Sequence, residues 1–124
     1  MVDSKLEQDY LLEGIKLFNS KKFYAAHDSW EYLWTEYPLK DALFIQGLIQ
    51  LSVAYFHITN LNLVGSKNLF NKSIPKLKKF SNSHRNINLE EIIALAEKSL
   101  NKVTDIDKVS QFDWDLVPKI IIKK

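Results

Sequence analysis

The sequence predicts an all-α fold, a compact bundle of about five helices around a central buried helix, finished by a C-terminal arm. Three observations lead there. The segment DALFIQGLIQLSVAYFHITN, Asp41 to Asn60, is apolar almost all the way round, as a helix enclosed by other helices must be. The stretches on either side of it repeat apolar residues at spacings of three and four. No segment before the tail alternates apolar and polar residues as a half-buried strand does.

Taken in order, Ser4 stands three residues before Glu7, the spacing of a capping box, and opens a first helix reaching about Phe18, with Leu11, Leu12, Ile15 and Phe18 on its apolar face. Asn19-Ser20-Lys21-Lys22 is a short turn, so the next helix, Phe23 to about Glu36, should run antiparallel to the first. It ends at Tyr37 because a residue before proline, here Pro38, avoids helical dihedrals. The central helix follows. Asn60-Leu61-Asn62 turns the chain into a fourth helix, about Leu63 to Phe80, which Pro75 should kink or split because it removes a backbone donor. A polar loop, Asn82 to Asn88, leads to a fifth helix from Leu89 to Leu100. From Asp105 onward periodicity is lost, yet Phe112, Trp114, Leu116, Val117 and Ile120 to Ile122 are too apolar for a free tail. An arm packed on the helices or on a partner chain is expected, and the alternation of Phe112, Trp114 and Leu116 suggests a short strand within it. The expected organisation is one helical domain over 1–124, with the arm at about 105–124.

The chain's 124 residues suit one domain and allow about two-thirds of the unfolded surface to be buried. Cysteine is absent, which excludes disulfides, thiolate metal sites and a cysteine nucleophile. The N-terminus MVDSKLEQDY is charged and has no apolar signal core, and the richest apolar stretch is interrupted by Gln46, Gln50 and His57. We therefore expect a soluble cytoplasmic protein, or a stromal one for a plastid-derived chain, with no membrane partner. Net charge is only +2, so general nucleic-acid binding is not indicated. Lys67, Lys72, Lys76, Lys78 and Lys79, with His84 and Arg85, form the one basic neighbourhood and read as a solvated helix face.

The candidate site lies on the second and third helices. At about 100° per residue, Gln46, Gln50 and His57 fall within roughly 40° of one another on the central helix. Buried amides and imidazoles need partners, and the second helix supplies them, since His27, Glu31 and Trp34 stand at i, i+4 and i+7 on one face. A histidine and a carboxylate one turn apart are also a geometry used by metal sites in helical bundles. Asp28 lies about 100° from His27 and is placed to support it or to face solvent. Gly47 inside the central helix calls for a close helix crossing, and Trp30 and Trp34 read as core anchors.

The run FNSKKFYAAHDSWEYLW and the following LFIQGLIQLSVAYFHITNLNLVGSKNL resemble the bacterial, archaeal and plastid family filed as domain of unknown function 309, whose hallmark is HxxxExxW, usually beginning His-Glu. His27, Glu31 and Trp34 match that hallmark, and Gln46-Gly47-Leu48-Ile49-Gln50 with His57 is similar to the family's QGLIQ helix and the histidine after it. The resemblance runs from about Gly14 to Leu69, within a family-like core of about 14–80. The chain departs from the pattern at Asp28, where glutamate is usual, at Leu61, where the turn normally has glycine, and at Ser66, where alanine is usual. The resemblance implies a compact all-α fold and a proposed metal-binding role for the histidine–glutamate motif.

Two functional readings follow. In the first, the protein is a binding or scaffold module, and His27, Glu31, Trp34, Gln46, Gln50 and His57 form a polar site that specifies helix packing. In the second, it is a metal-binding protein or metal-dependent hydrolase, in which His27, Glu31 and His57 hold a divalent ion such as zinc with Gln46 and Gln50 behind them. The residues leave the catalytic group, if there is one, unassigned, because no second acid or ordered donor set accompanies the motif. A homo-oligomer formed through the C-terminal arm is a further expectation.

Overall fold

A computed structural model describes residues 4–123. Among the described residues there are five α-helices: α1 (Ser4–Asn19), α2 (Phe23–Glu36), α3 (Ala42–Thr59), α4 (Leu63–Leu77) and α5 (Leu89–Asp105). Three short 3-10 turns, His84–Asn86, Val109–Gln111 and Trp114–Leu116, shape the later connections. The cap expected from Ser4 rests on a side chain outside the described set.

The first two helices turn over sharply. Lys22 N–H donates to Leu17 O and Lys21 N–H to Phe18 O, both at 2.9 Å, with Lys21 in the left-handed region at φ 62°. That pattern is a Schellman closure, which satisfies the free carbonyls at the end of α1 and reverses the chain. Gly14 then lets the Trp30 indole lie flat on α1, because a Cβ at Gly14 would fall 2.0 Å from Trp30 Nε1. The indole N–H donates to Leu11 O at 3.2 Å, so the large buried ring leaves no polar atom unpaired.

α3 packs between α2 and α4. Phe44, Ile45, Leu48, Leu51, Tyr55 and Ile58 are wholly buried on its inner side, each contributing roughly 1.5–3 kcal/mol of burial. The crossing expected at Gly47 is present: Ser73 Oγ donates to Gly47 O at 2.7 Å, and a Cβ there would meet Leu77 Cδ2 at 2.8 Å. Tyr55 reaches through the core to Ser99 of α5 at 2.8 Å. The Ser99 hydroxyl donates to Leu95 O, so the phenol is the donor to Ser99, and burial holds Tyr55 protonated well above the usual tyrosine range.

α3 is not enclosed all round, as its sequence suggested. Leu43, Gln46, Gln50, Val53 and His57 form a half-exposed stripe down its outer side. Among the described residues Ala42–Thr59 is the one helix long and apolar enough to cross a membrane, and half of it is buried inside the protein.

Pro75 does not split α4, which continues to Leu77. The proline is exposed, and so is Asn71 four residues back, whose carbonyl would have received the missing N–H. α5 runs five residues further than its clearest apolar period. The expected strand in the arm is replaced by two 3-10 turns, and the only ladder-like contact among the described residues is an isolated bridge between Ile87 and Ile122. The arm is held by side-chain amides instead. Asn19 accepts from Ile120 N and donates to Ile120 O, both at 2.9 Å, while Asn88 accepts from Ile121 N at 2.8 Å and donates to Lys119 O at 2.9 Å. Two asparagines thus do for the extended segment what a neighbouring strand would, and Phe112 and Ile120 are buried in the chain's own core.

Candidate functional site

α2 turns its HxxxExxW face toward the α3 side of the bundle and partly toward water. His27 Nε2 and Glu31 Oε2 are 2.9 Å apart across one helical turn, with the imidazole side chain 17% exposed and the carboxylate 54%. The buried network expected here is therefore a surface pair. With Nε2–H donated to Glu31, a neutral imidazole presents a bare lone pair at Nδ1. That nitrogen is buried and makes no hydrogen bond; the Asp28 carboxylate stands 3.3 Å away but out of alignment, and as an acceptor it has nothing to give. Trp34, expected in the core, is 40% exposed, while Trp30 is the buried anchor. The reason is angular, since Trp30 lies about 60° from His27 toward the core and Trp34 about 20°.

On α3, Gln46, Gln50 and His57 share the half-exposed stripe, and Gln50 Oε1 is buried there without a hydrogen-bond partner. Tyr24 of α2 packs on His27 and on Phe56 of α3, with ring centroids 5.2 and 5.1 Å away, so an aromatic cluster joins the two helices beside the motif. His57 is turned to another task. Its Nδ1 lies 3.5 Å from the Asn62 amide nitrogen, and Asn62 Oδ1 in turn accepts from Gly65 N at 2.8 Å, capping α4. His57 thereby belongs to the α3–α4 turn. Among the described residues no group of three or more His, Asp or Glu side chains stands where it could hold a metal ion. The expected ligand set of His27, Glu31 and His57 is not assembled, because His57 lies at the end of α3 and faces the following turn.

Residues 11–69 match the model of a family described as Domain of unknown function (DUF309). That segment is similar to the family. No curated protein and no solved structure matches the chain. The DUF309 segment comprises most of α1, all of α2 and α3 and the first half of α4, so it contains the whole half-exposed face and ends before α5.

A second polar cluster escaped the sequence reading. Arg85 and His84, expected to belong to a solvated basic face, converge on Asp41 at the start of α3. Arg85 donates from Nε to Asp41 Oδ2 at 2.5 Å and from Nη2 to Oδ1 at 2.7 Å, and His84 Nε2 lies 2.8 Å from Oδ2. Burial alone would raise the Asp41 pKa, but the hydrogen bonds and charges of Arg85 and His84 bring it down to about 2. Arg85 and Asn86 both take positive φ, 52° and 60°, to bring these groups inward. Nothing local in the sequence signals a pair 44 residues apart. The stripe was more accessible: Leu43 and Val53 continue the spacing of Gln46, Gln50 and His57, and apolar residues among those amides would have marked a face meant to be half covered.

Proposed function

We propose that the chain is a non-catalytic binding module whose docking face is the outer side of α2 and α3, with His27, Glu31, Trp34, Gln46, Gln50 and His57 as its polar and aromatic elements. One observation carries the reading: His27 Nδ1 and Gln50 Oε1, on facing helices, are shielded from water yet unpaired. An unmade buried hydrogen bond costs about 1–3 kcal/mol, so a partner that lets these side chains turn toward its own donors recovers part of that cost. Tyr24, 54% exposed, and Trp34 stand beside them, and exposed aromatics are the usual anchors of an interface. The setting we assign is the cytoplasm. A metal-dependent reaction has less support, since no three-ligand group is in place among the described residues.

Hydroxyl-radical footprinting tests this. Trp34 and Tyr24 should be markedly less labelled in intact cells than in purified protein at nanomolar concentration, with Tyr32, exposed on the α1 side, as the unchanged control. Equal labelling of Trp34 and Tyr24 in both settings would remove the proposal.

A further inference from the structure

We infer that the occupant of this face is a second copy of the chain, placed by a two-fold axis parallel to α3; the inference rests on the docking role proposed above. The central seam would be Leu43, Gln46, Gln50, Val53 and His57, whose alternating spacings of three and four are those of a helix seam that meets another helix along its length.

The charges on either side of the seam select the partner and the axis. On the α2 flank stand Asp28 and Glu31, and on the α4 flank Lys72 and Lys76. Neither lysine has an acidic partner among the described residues; Lys76 Nζ reaches only the Lys72 carbonyl. Heights along α3 follow from contacts. Tyr24 packs on Phe56, and α2 runs antiparallel to α3, so stepping seven residues along both brings Glu31 level with Ile49. On the other flank Lys76 packs against Gly47 and Gly65 against His57, which brings Lys72 level with about Gln50. Glu31 and Lys72 therefore lie at nearly one height, a rise of about 1.5 Å per residue, on opposite sides of the seam.

A two-fold parallel to α3 preserves height and exchanges left for right. It lays the acidic α2 flank of each copy over the basic α4 flank of the other, with Glu31 opposite Lys72 twice and Trp34 opposite Lys76, a cation over an aromatic ring. A two-fold perpendicular to α3 would set acid on acid and lysine on lysine. The parallel axis also brings the two Gln50 side chains together at the same level, where each amide, once turned outward, can donate to the other's Oε1. One polar residue at such a seam position fixes register and number of copies.

Sedimentation velocity on the full chain tests the inference at about 100 μM, well above a micromolar Kd. The wild type should sediment as a dimer, and Glu31→Lys and Lys72→Glu should each weaken association by about tenfold or more at low salt. An equimolar mixture of the two variants should recover a dimer, because every crossed pair is then opposite in charge. Both substitutions are at the exposed surface, and circular dichroism of each variant should match the wild type. A monomeric wild type at that concentration, or a mixture no more associated than its components, overturns the second copy as occupant. If Trp34 is nevertheless protected in cells, the docking role stands with a different partner; if Trp34 is also unprotected, both fall.

Discussion

Arg85 grips Asp41 with two parallel hydrogen bonds across 44 residues of sequence, tying the loop after α4 to the first turn of α3. Arginine is suited to this because its planar fork matches a carboxylate in a way that lysine's single ammonium does not. His84 adds a third contact to the same carboxylate.

Acid should loosen this tie. The Asp41 pKa falls from 3.8 to about 2 on folding, so the stabilisation is fully present above pH 3.8 and disappears as pH falls through about 2. Its size is on the order of 1 kcal/mol after allowance for solvent screening. Asp41→Asn should abolish that part of the acid dependence and lower stability at neutral pH by about 2 kcal/mol, because Arg85 would be left half-buried and unpaired. Urea titrations of both proteins between pH 2 and 7 measure it; parallel pH profiles would refute the assignment.

Gly14→Ala should be among the most damaging small changes in the chain. The new methyl would sit 2.0 Å from Trp30 Nε1, and the ring is fully buried and cannot swing aside. A loss of about 3 kcal/mol or more is expected from overpacking, read as a drop in urea midpoint at unchanged slope.

Leu61→Gly should have the opposite sign. Leu61 N–H and Asn62 N–H close the end of α3 onto Ile58 O and His57 O, with Leu61 at φ 60° in the left-handed position that glycine favours. Its side chain is 79% exposed, so little burial is given up. Relief of backbone strain, about 1–2 kcal/mol, exceeds glycine's extra unfolded-state entropy, roughly 0.5–1 kcal/mol, and the thermal midpoint should rise. A lower midpoint would show that Leu61 makes contacts the strain is there to support.

Glu31→Gln separates the functional readings. With its carboxylate half exposed and, among the described residues, paired only to His27 one turn away, the contact is worth well under about 1 kcal/mol. The variant should unfold within that margin of the wild type, and neither should be stabilised by micromolar zinc. A wild-type midpoint that climbs with zinc and a variant that does not follow would restore the metal reading.

The helices were legible in the sequence because their causes are local. α2 begins and ends where the sequence places it, since its apolar period, the turn before it and Pro38 after it all act within a few residues. Gly47 signalled its close crossing for the same kind of reason, there being little else a mid-helix glycine is for. That His27, Glu31 and Trp34 share one face of α2, and Gln46, Gln50 and His57 one stripe of α3, was also legible.

What the sequence could not convey is which of those faces meets water. α3 is so uniformly apolar that its periodicity does not single out a buried side, and only the packing of α2 and α4 on either flank leaves the Gln46–Gln50–His57 stripe half open. That decision moved Glu31 and Trp34 from an expected core to the surface and turned His57 toward the α4 cap. The Asp41–Arg85 pair and the amide hooks of Asn19 and Asn88 on the arm were likewise invisible, because each joins groups distant in sequence through geometry that no local pattern encodes. Local periodicity determines that a segment is helical; the competition among helices for a shared core determines which side of each is left for a partner.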